Sequence, residues 1–332
     1  MILLIAGNRS SRRESPPIAP LSQAGSRKGL LPIDRARLFA AMALAIAAAV
    51  GGGPAAAQSP VERQVVPSRA DPGVKQFDEP SIAIAGPHAA DAPLVIFLPG
   101  TGGAPARNMA LLRVVAGQGF AVIGLEYDDT PAVGQVCPRD PDPDCASAFR
   151  QMRIDGTGAS RAVANPVAEA IVPRLVAALR ALDATAPKEG WAHYLAGGQP
   201  RWDRIIVSGL SQGAGMAAYI AKQHSVRRVI LFSSPWDFTG RDRRPAPWLS
   251  RPGATPPERW QAEYHRREAN AARIAAAYAA LGIPPANIRI FDLDLPAFIR
   301  ADAPDPFHGA TAHDPLYAPE WRAMYGKASD SR

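Results

Sequence analysis

The chain has 332 residues, with 37 Lys or Arg against 30 Asp or Glu, a formal charge of +7, and two cysteines. Residues 1–57 hold seven of the basic and two of the acidic residues, leaving the remainder near balance at +2. The basicity lies mostly in that first segment, so the charge says little about nucleic acid or anionic surfaces, and no nucleic-acid partner is expected. The 275 residues after position 57 suit one large α/β domain with a well-filled core.

The N-terminal segment reads as a secretory signal peptide with an extended n-region. Arg35 and Arg37 precede an apolar run from Leu38 to Val50, then a Gly/Pro break and Ala-x-Ala before Gln58, which predicts cleavage after Ala57. The run is too short to span a bilayer, so no stable membrane anchor is expected, and the mature protein is expected to be secreted or periplasmic. Residues 58–80 are polar and contain proline, the composition of an N-terminal arm.

Strands and helices then alternate. "SIAIAG" (81–86) and "PLVIFLPG" (93–100) predict strands, the second buried on both faces. A helix is expected from about Ala106 to Gln118, followed by the apolar run "GFAVIGLEY" (119–127). Residues 128–165 are rich in Pro, Asp and Gly and read as a long loop, one of two insertions expected to form a small lid. Within it Cys137 and Cys145 flank "PRDPDPD", and in an exported chain they predict a local disulfide. "VAEAIVPRLVAALRAL" (167–182) has helical spacing, and "DRIIVSG" (203–209) and "RRVILFSS" (227–234) are further buried strands. The other lid segment is "RRPAPWLSRPGATPPERW" (243–260). Trp236, Phe238 and Trp248 are aromatic residues available to a pocket or to the core. The pattern predicts a mainly parallel sheet with helices on both faces, whose ligands gather at the strand C-termini.

Two motifs fall at such ends. Gly209-Leu210-Ser211-Gln212-Gly213 matches G-x-S-x-G between a strand and an Ala-rich helix, the setting of a nucleophile elbow. A tight turn exposes the serine oxygen, and the helix N-terminus behind it offers free N–H groups. "FLPGTGGAP" (97–105) follows the first long buried strand. An oxyanion needs donors from the residue after the nucleophile and from such an early loop, here the amides of Gln212 and Thr101, with Gly102 as the alternative to Thr101.

"LPGTGG", "WDRIIVSGLSQGAGMAAYIAK" and "RRVILFSSPWDF" resemble the α/β-hydrolase superfamily, over residues 75 to 325. Within it they are similar to a group of exported, esterase- or lipase-like bacterial serine hydrolases that carry G-[LH]-S-Q-G-A-G. The resemblance implies a single hydrolase domain over 81–325, with 326–332 a tail, and a triad in the order Ser, acid, His. His308 in "FHGAT", preceded by turn-forming residues and followed by Gly309 as suits a loop, then becomes the expected base, with His313 as the alternative. The superfamily order also asks for a further strand before the last one. Splitting 258–281 into a strand "RWQAEYHR" and a helix "ANAARIAAAYAAL" supplies it, makes "IRIFDLD" the final strand, and puts Glu268 where the superfamily places its acid. Asp237 and the pair Asp292 and Asp294 are the alternative acids.

These residues predict cleavage of a small-molecule or polymeric carboxylic ester through an acyl-enzyme. The alternatives are a peptidase or amidase using the same triad, and a secreted hydrolase-fold protein that binds without catalysis. No cofactor or metal is expected: "GTGG" lacks the Lys-Ser/Thr of a P-loop, and the Asp140, Asp142, Asp144 series lacks the Gly and Glu of an EF-hand. The sequence does not specify an oligomeric state.

Overall fold

The computed structural model describes residues 60–86, 92–240, 243–297 and 305–331. The expected signal peptide, residues 1–57, lies outside them. Eight strands form the central sheet: β1 (Val61–Val65), β2 (Ser81–Ala85), β3 (Leu94–Leu98), β4 (Ala121–Gly124), β5 (Ile205–Leu210), β6 (Arg228–Phe232), β7 (Trp260–His265) and β8 (Ile288–Phe291). The order across the sheet is β1-β2-β4-β3-β5-β6-β7-β8. β2 runs antiparallel to both its neighbours, and every other pairing in the sheet is parallel.

The period-2 geometry of a strand explains the apolar runs. On β3, Leu94, Ile96 and Leu98 face one core while Val95 and Phe97 face the other. The first core is closed by α2 (Cys145–Asp155), α3 (Ile171–Thr185), α4 (Gln212–Gln223) and α5 (Ala271–Leu281), through Phe149, Leu175, Ala217 and Tyr278 among others. The second is closed by α1 (Met109–Gly117), α6 (Pro306–His313) and α7 (Ala318–Tyr325), through Leu112, Ala312 and Trp321. A largely parallel sheet buried on both faces, in this strand order, is the α/β-hydrolase fold.

Three expectations need correction. The segment 58–80 is not an arm outside the domain, because β1 pairs with β2 and extends the sheet. Its polar sequence, VERQV, is that of an edge strand held by side chains: Arg63 bonds Glu189 and Glu62 bonds Arg113. Residues 326–331 do not form a free tail, since the buried Ala328 donates its N–H to Gln118 O at 3.1 Å. The stretch 128–165 is not all loop. It carries α2, which packs on α4 and buries Arg150 and Arg153. Those buried arginines conceal the helical apolar pattern.

Cys137 and Cys145 form a disulfide at the start of α2. Among the described residues, no helix is long and apolar enough to cross a membrane.

Candidate active site

Ser211 follows the last residue of β5 and caps α4 with φ 53° and ψ −119°, a strained conformation for a residue with a side chain. Two contacts hold it there: its N–H donates to Phe232 O on β6 at 2.9 Å, and its carbonyl accepts the first helical bond from Gly215. The flanking glycines are there for space. A Cβ on Gly209 would lie 2.5 Å from the Gly213 carbonyl carbon, and one on Gly213 only 2.0 Å from Leu98 O. The elbow is thus pressed against the end of β3, where the early Gly-rich loop begins.

The third glycine, Gly215, makes room for Arg150, whose guanidinium would lie 2.1 Å from an added Cβ. Arg150 forms two bonds to Asp237, of 2.7 and 2.6 Å, with both side chains 1% exposed. Asp237 also accepts the indole N–H of Trp248 at 2.9 Å. This buried cluster ties α2, the elbow helix and the segment after β6 together. It uses up the carboxylate of Asp237, and it places Trp248 in the core as a donor to Asp237.

His308 lies in the first turn of α6, where a loop position was expected. Its Nδ1 donates to Glu268 Oε2 at 2.8 Å, with the Glu268 side chain fully buried and that of His308 23% exposed. Glu268 Oε1 accepts the Ser233 hydroxyl at 2.7 Å and the His265 N–H at 2.6 Å. Three donors therefore hold this carboxylate beneath the imidazole. Ser233 itself sits at φ 53°, and its N–H is held by Glu263 O on β7 at 3.0 Å. Asp292 instead pairs with Arg266 at 3.1 Å, and Asp294 with Arg267 at 2.6 Å, both exposed at the edge of β8.

Gly100, Thr101, Ser211, Gln212, Trp236 and His308 share the wall of one cavity of about 410 Å³, which His313 also borders. Burial, and then Arg107 and His308, lower the His313 pKa. Trp236 meets the His308 ring edge-on at 6.2 Å. Gln212 is the first helical residue, so its N–H has no intrahelical acceptor and faces the positive end of the α4 dipole. Its side chain accepts the Val133 N–H at 3.2 Å, fixing the 132–135 turn over the cavity.

The early loop has its own support. Asp129 accepts the Gly103 N–H at 3.1 Å and the Thr130 hydroxyl at 2.8 Å, and Tyr127 donates to Pro99 O at 2.9 Å. Burial raises the Asp129 pKa, while the Thr130 hydroxyl and the Gly102 and Gly103 amides pull it down. The Gly103 amide is thereby committed to Asp129.

Sequence reasoning missed Arg150, Asp129 and Ser233. Arg150 and Ser233 act across long stretches of chain, 87 and 35 residues respectively, and no local pattern marks them. The signal available for Arg150 was the third glycine of the G-x-S-x-G-x-G run.

No protein-family model matches the sequence, and no curated protein matches it either. Solved structures do. An esterase from the archaeon Pyrobaculum calidifontis has a TM-score of 0.44 at 13% identity, over 82% of this chain and 85% of its own. A hormone-sensitive lipase from a metagenome library has a TM-score of 0.39 at 17% identity, over 76% and 82% respectively. A thermostable carboxylesterase from a metagenomic library has a TM-score of 0.39 at 16% identity, over 81% and 90%. These are likenesses of fold.

Proposed function

We propose that the chain is an exported serine hydrolase that cleaves a carboxylic ester through an acyl-enzyme. The observation that carries this reading is the Nδ1 bond of His308 to the buried Glu268, with His308 and the strained Ser211 bordering one cavity. A protein that only binds ligands has no need of that contact.

In this reading Glu268 fixes the imidazole with its proton on Nδ1, which leaves the Nε2 lone pair as the general base. Ser211 Oγ attacks the ester carbonyl as Nε2 takes its proton. The amides of Thr101 and Gln212, with the α4 dipole, stabilise the oxyanion. The imidazolium then protonates the departing alcohol, and water drawn by the same base releases the acid. Glu268 stays ionised and compensates the imidazolium charge. Export rests on the leader pattern of residues 1–57 and on the Cys137–Cys145 disulfide, a bond suited to an oxidising compartment.

The test is turnover of p-nitrophenyl esters beside peptide anilides by the protein lacking residues 1–57. Esters are expected to be hydrolysed with a burst of p-nitrophenol. Turnover of anilides alone would replace the esterase reading with a peptidase.

A further inference from the structure

A second cavity, of about 570 Å³, adjoins the first and shares Gly134, Gln135 and Trp236 with it. Three arginines, Arg139, Arg243 and Arg273, border it together with Phe238, and among the described residues no acidic side chain does. Several arginines elsewhere in the fold are paired: Arg63 with Glu189, Arg113 with Glu62, Arg150 with Asp237, Arg153 with Asp128, Arg174 with Glu169. Among the described residues, Arg139 and Arg243 form no side-chain hydrogen bond or ion pair, and Arg273 bonds the neutral Asn270 at 2.7 Å. Among the described residues, the acids of the cysteine loop are engaged elsewhere. Asp140 and Asp142 face Arg161 at 3.5 and 3.6 Å, and Asp144 bonds Arg251 at 2.6 Å.

The arginines arrive from three separate elements. Arg139 ends the helical turn Cys137–Arg139, which the disulfide anchors and which packs against the strand pair Phe238–Thr239 and Arg244–Pro245. Arg243 enters that pair at φ 51°, a backbone conformation that costs energy for any residue with a Cβ. Arg273 projects from α5. Guanidinium groups present planar donor forks to a carboxylate, and Trp236 and Phe238 supply apolar surface between the forks and His308.

We propose that this cavity is an anion subsite, and that the enzyme prefers esters carrying a carboxylate at the far end of an apolar spacer from the scissile bond. The inference rests on the serine-hydrolase reading and names its substrate class.

The test compares p-nitrophenyl monoesters of adipic and suberic acid with neutral p-nitrophenyl esters of equal chain length. A second arm places the carboxylate on the alcohol side, as in butyrate esters of hydroxyphenylacetate. In one arm the anionic ester is expected to have a kcat/KM about ten-fold higher, mostly through KM, as expected for a charged hydrogen bond. The ratio should shrink toward one in about 1 M salt, where the Debye length is about 3 Å. It should also fall to about one in the double variant Arg243→Ala/Arg273→Ala, and survive in Arg243→Lys/Arg273→Lys. Neutral turnover without anionic preference in either arm overturns the subsite and leaves the hydrolase intact. If no ester is turned over, calorimetry with suberate decides separately: binding lost in the double alanine variant supports the subsite, and no binding to the wild type overturns it.

Discussion

His308 Nδ1 lies 2.8 Å from Glu268 Oε2, joining the first turn of α6 to the residue three positions beyond β7. Asp237, the other strong alternative, is bound instead to Arg150 and Trp248. The two carboxylates therefore have separable roles. Glu268→Gln is expected to slow acylation by about 10²–10⁴-fold with little loss of stability. Asp237→Asn leaves the Arg150 charge buried without its partner and is expected to cost about 3–5 kcal/mol of stability. Burst kinetics and urea unfolding of both variants check the assignment; the reverse ranking would overturn it.

Ser233 donates to the same carboxylate from a strained backbone position. Ser233→Ala is expected to lower kcat about ten-fold by loosening Glu268, since a hydrogen bond to a charged group is worth about 1.5–3 kcal/mol. An unchanged kcat would show that the His265 N–H suffices to hold the acid.

The elbow glycines differ sharply from a helical glycine with space around it. Gly213→Ala drives a Cβ to 2.0 Å from Leu98 O, a backbone atom that cannot move aside. It is expected to destroy activity and destabilise the fold. A Cβ on Gly117, near the end of α1, meets nothing within 4 Å. Gly117→Ala should therefore raise stability by about 0.4–1 kcal/mol. Thermal melts of the two variants, moving in opposite directions, are the check.

Glu126 has its pKa raised from 4.5 to about 8, first by burial and then by repulsion from Asp129. Between those values the unfolded chain has lost this proton and the folded chain keeps it. The folded state binds more protons, so this group makes stability fall as pH rises from 4.5 to 8. His224 and His265, whose pKa values burial lowers, act oppositely below neutrality. Subtracting the unfolding curves of Glu126→Gln from wild type isolates the carboxyl. The difference should grow in the variant's favour from pH 5 to pH 8; a flat difference contradicts the burial argument.

The disulfide closes a loop with a sequence separation of 8 between its cysteines. Loop-closure entropy assigns it about 2–3 kcal/mol. A reductant should lower the midpoint of unfolding accordingly, and a double Cys→Ser variant should match the reduced protein and no longer respond to reductant.

The legible part of this fold was its centre. β3, β5 and β6 are continuous apolar runs because both of their faces are covered, and Gly209 and Gly213 stand out because no other residue fits against Leu98. The edges were less legible. β1 is polar because one side of it meets solvent, and α2 is masked by arginines whose burial depends on distant partners such as Asp237. Glu268 was reachable only through the order of strands, since a carboxylate on the turn after β7 looks like any surface charge until Ser233 and His308 are brought to it. His308 was identified from its flanking residues, yet its helical setting was missed, because Pro306 and Gly309 suggest a loop to any local reading.

The central claim is that Ser211 is a nucleophile activated by His308. Intact-mass measurement after treatment with a fluorophosphonate tests it most directly. One adduct per chain is expected, mapped to Ser211, absent in Ser211→Ala and formed about a thousand-fold more slowly in His308→Ala. A folded wild-type protein that stays unlabelled, or equal labelling of Ser211→Ala, would contradict it.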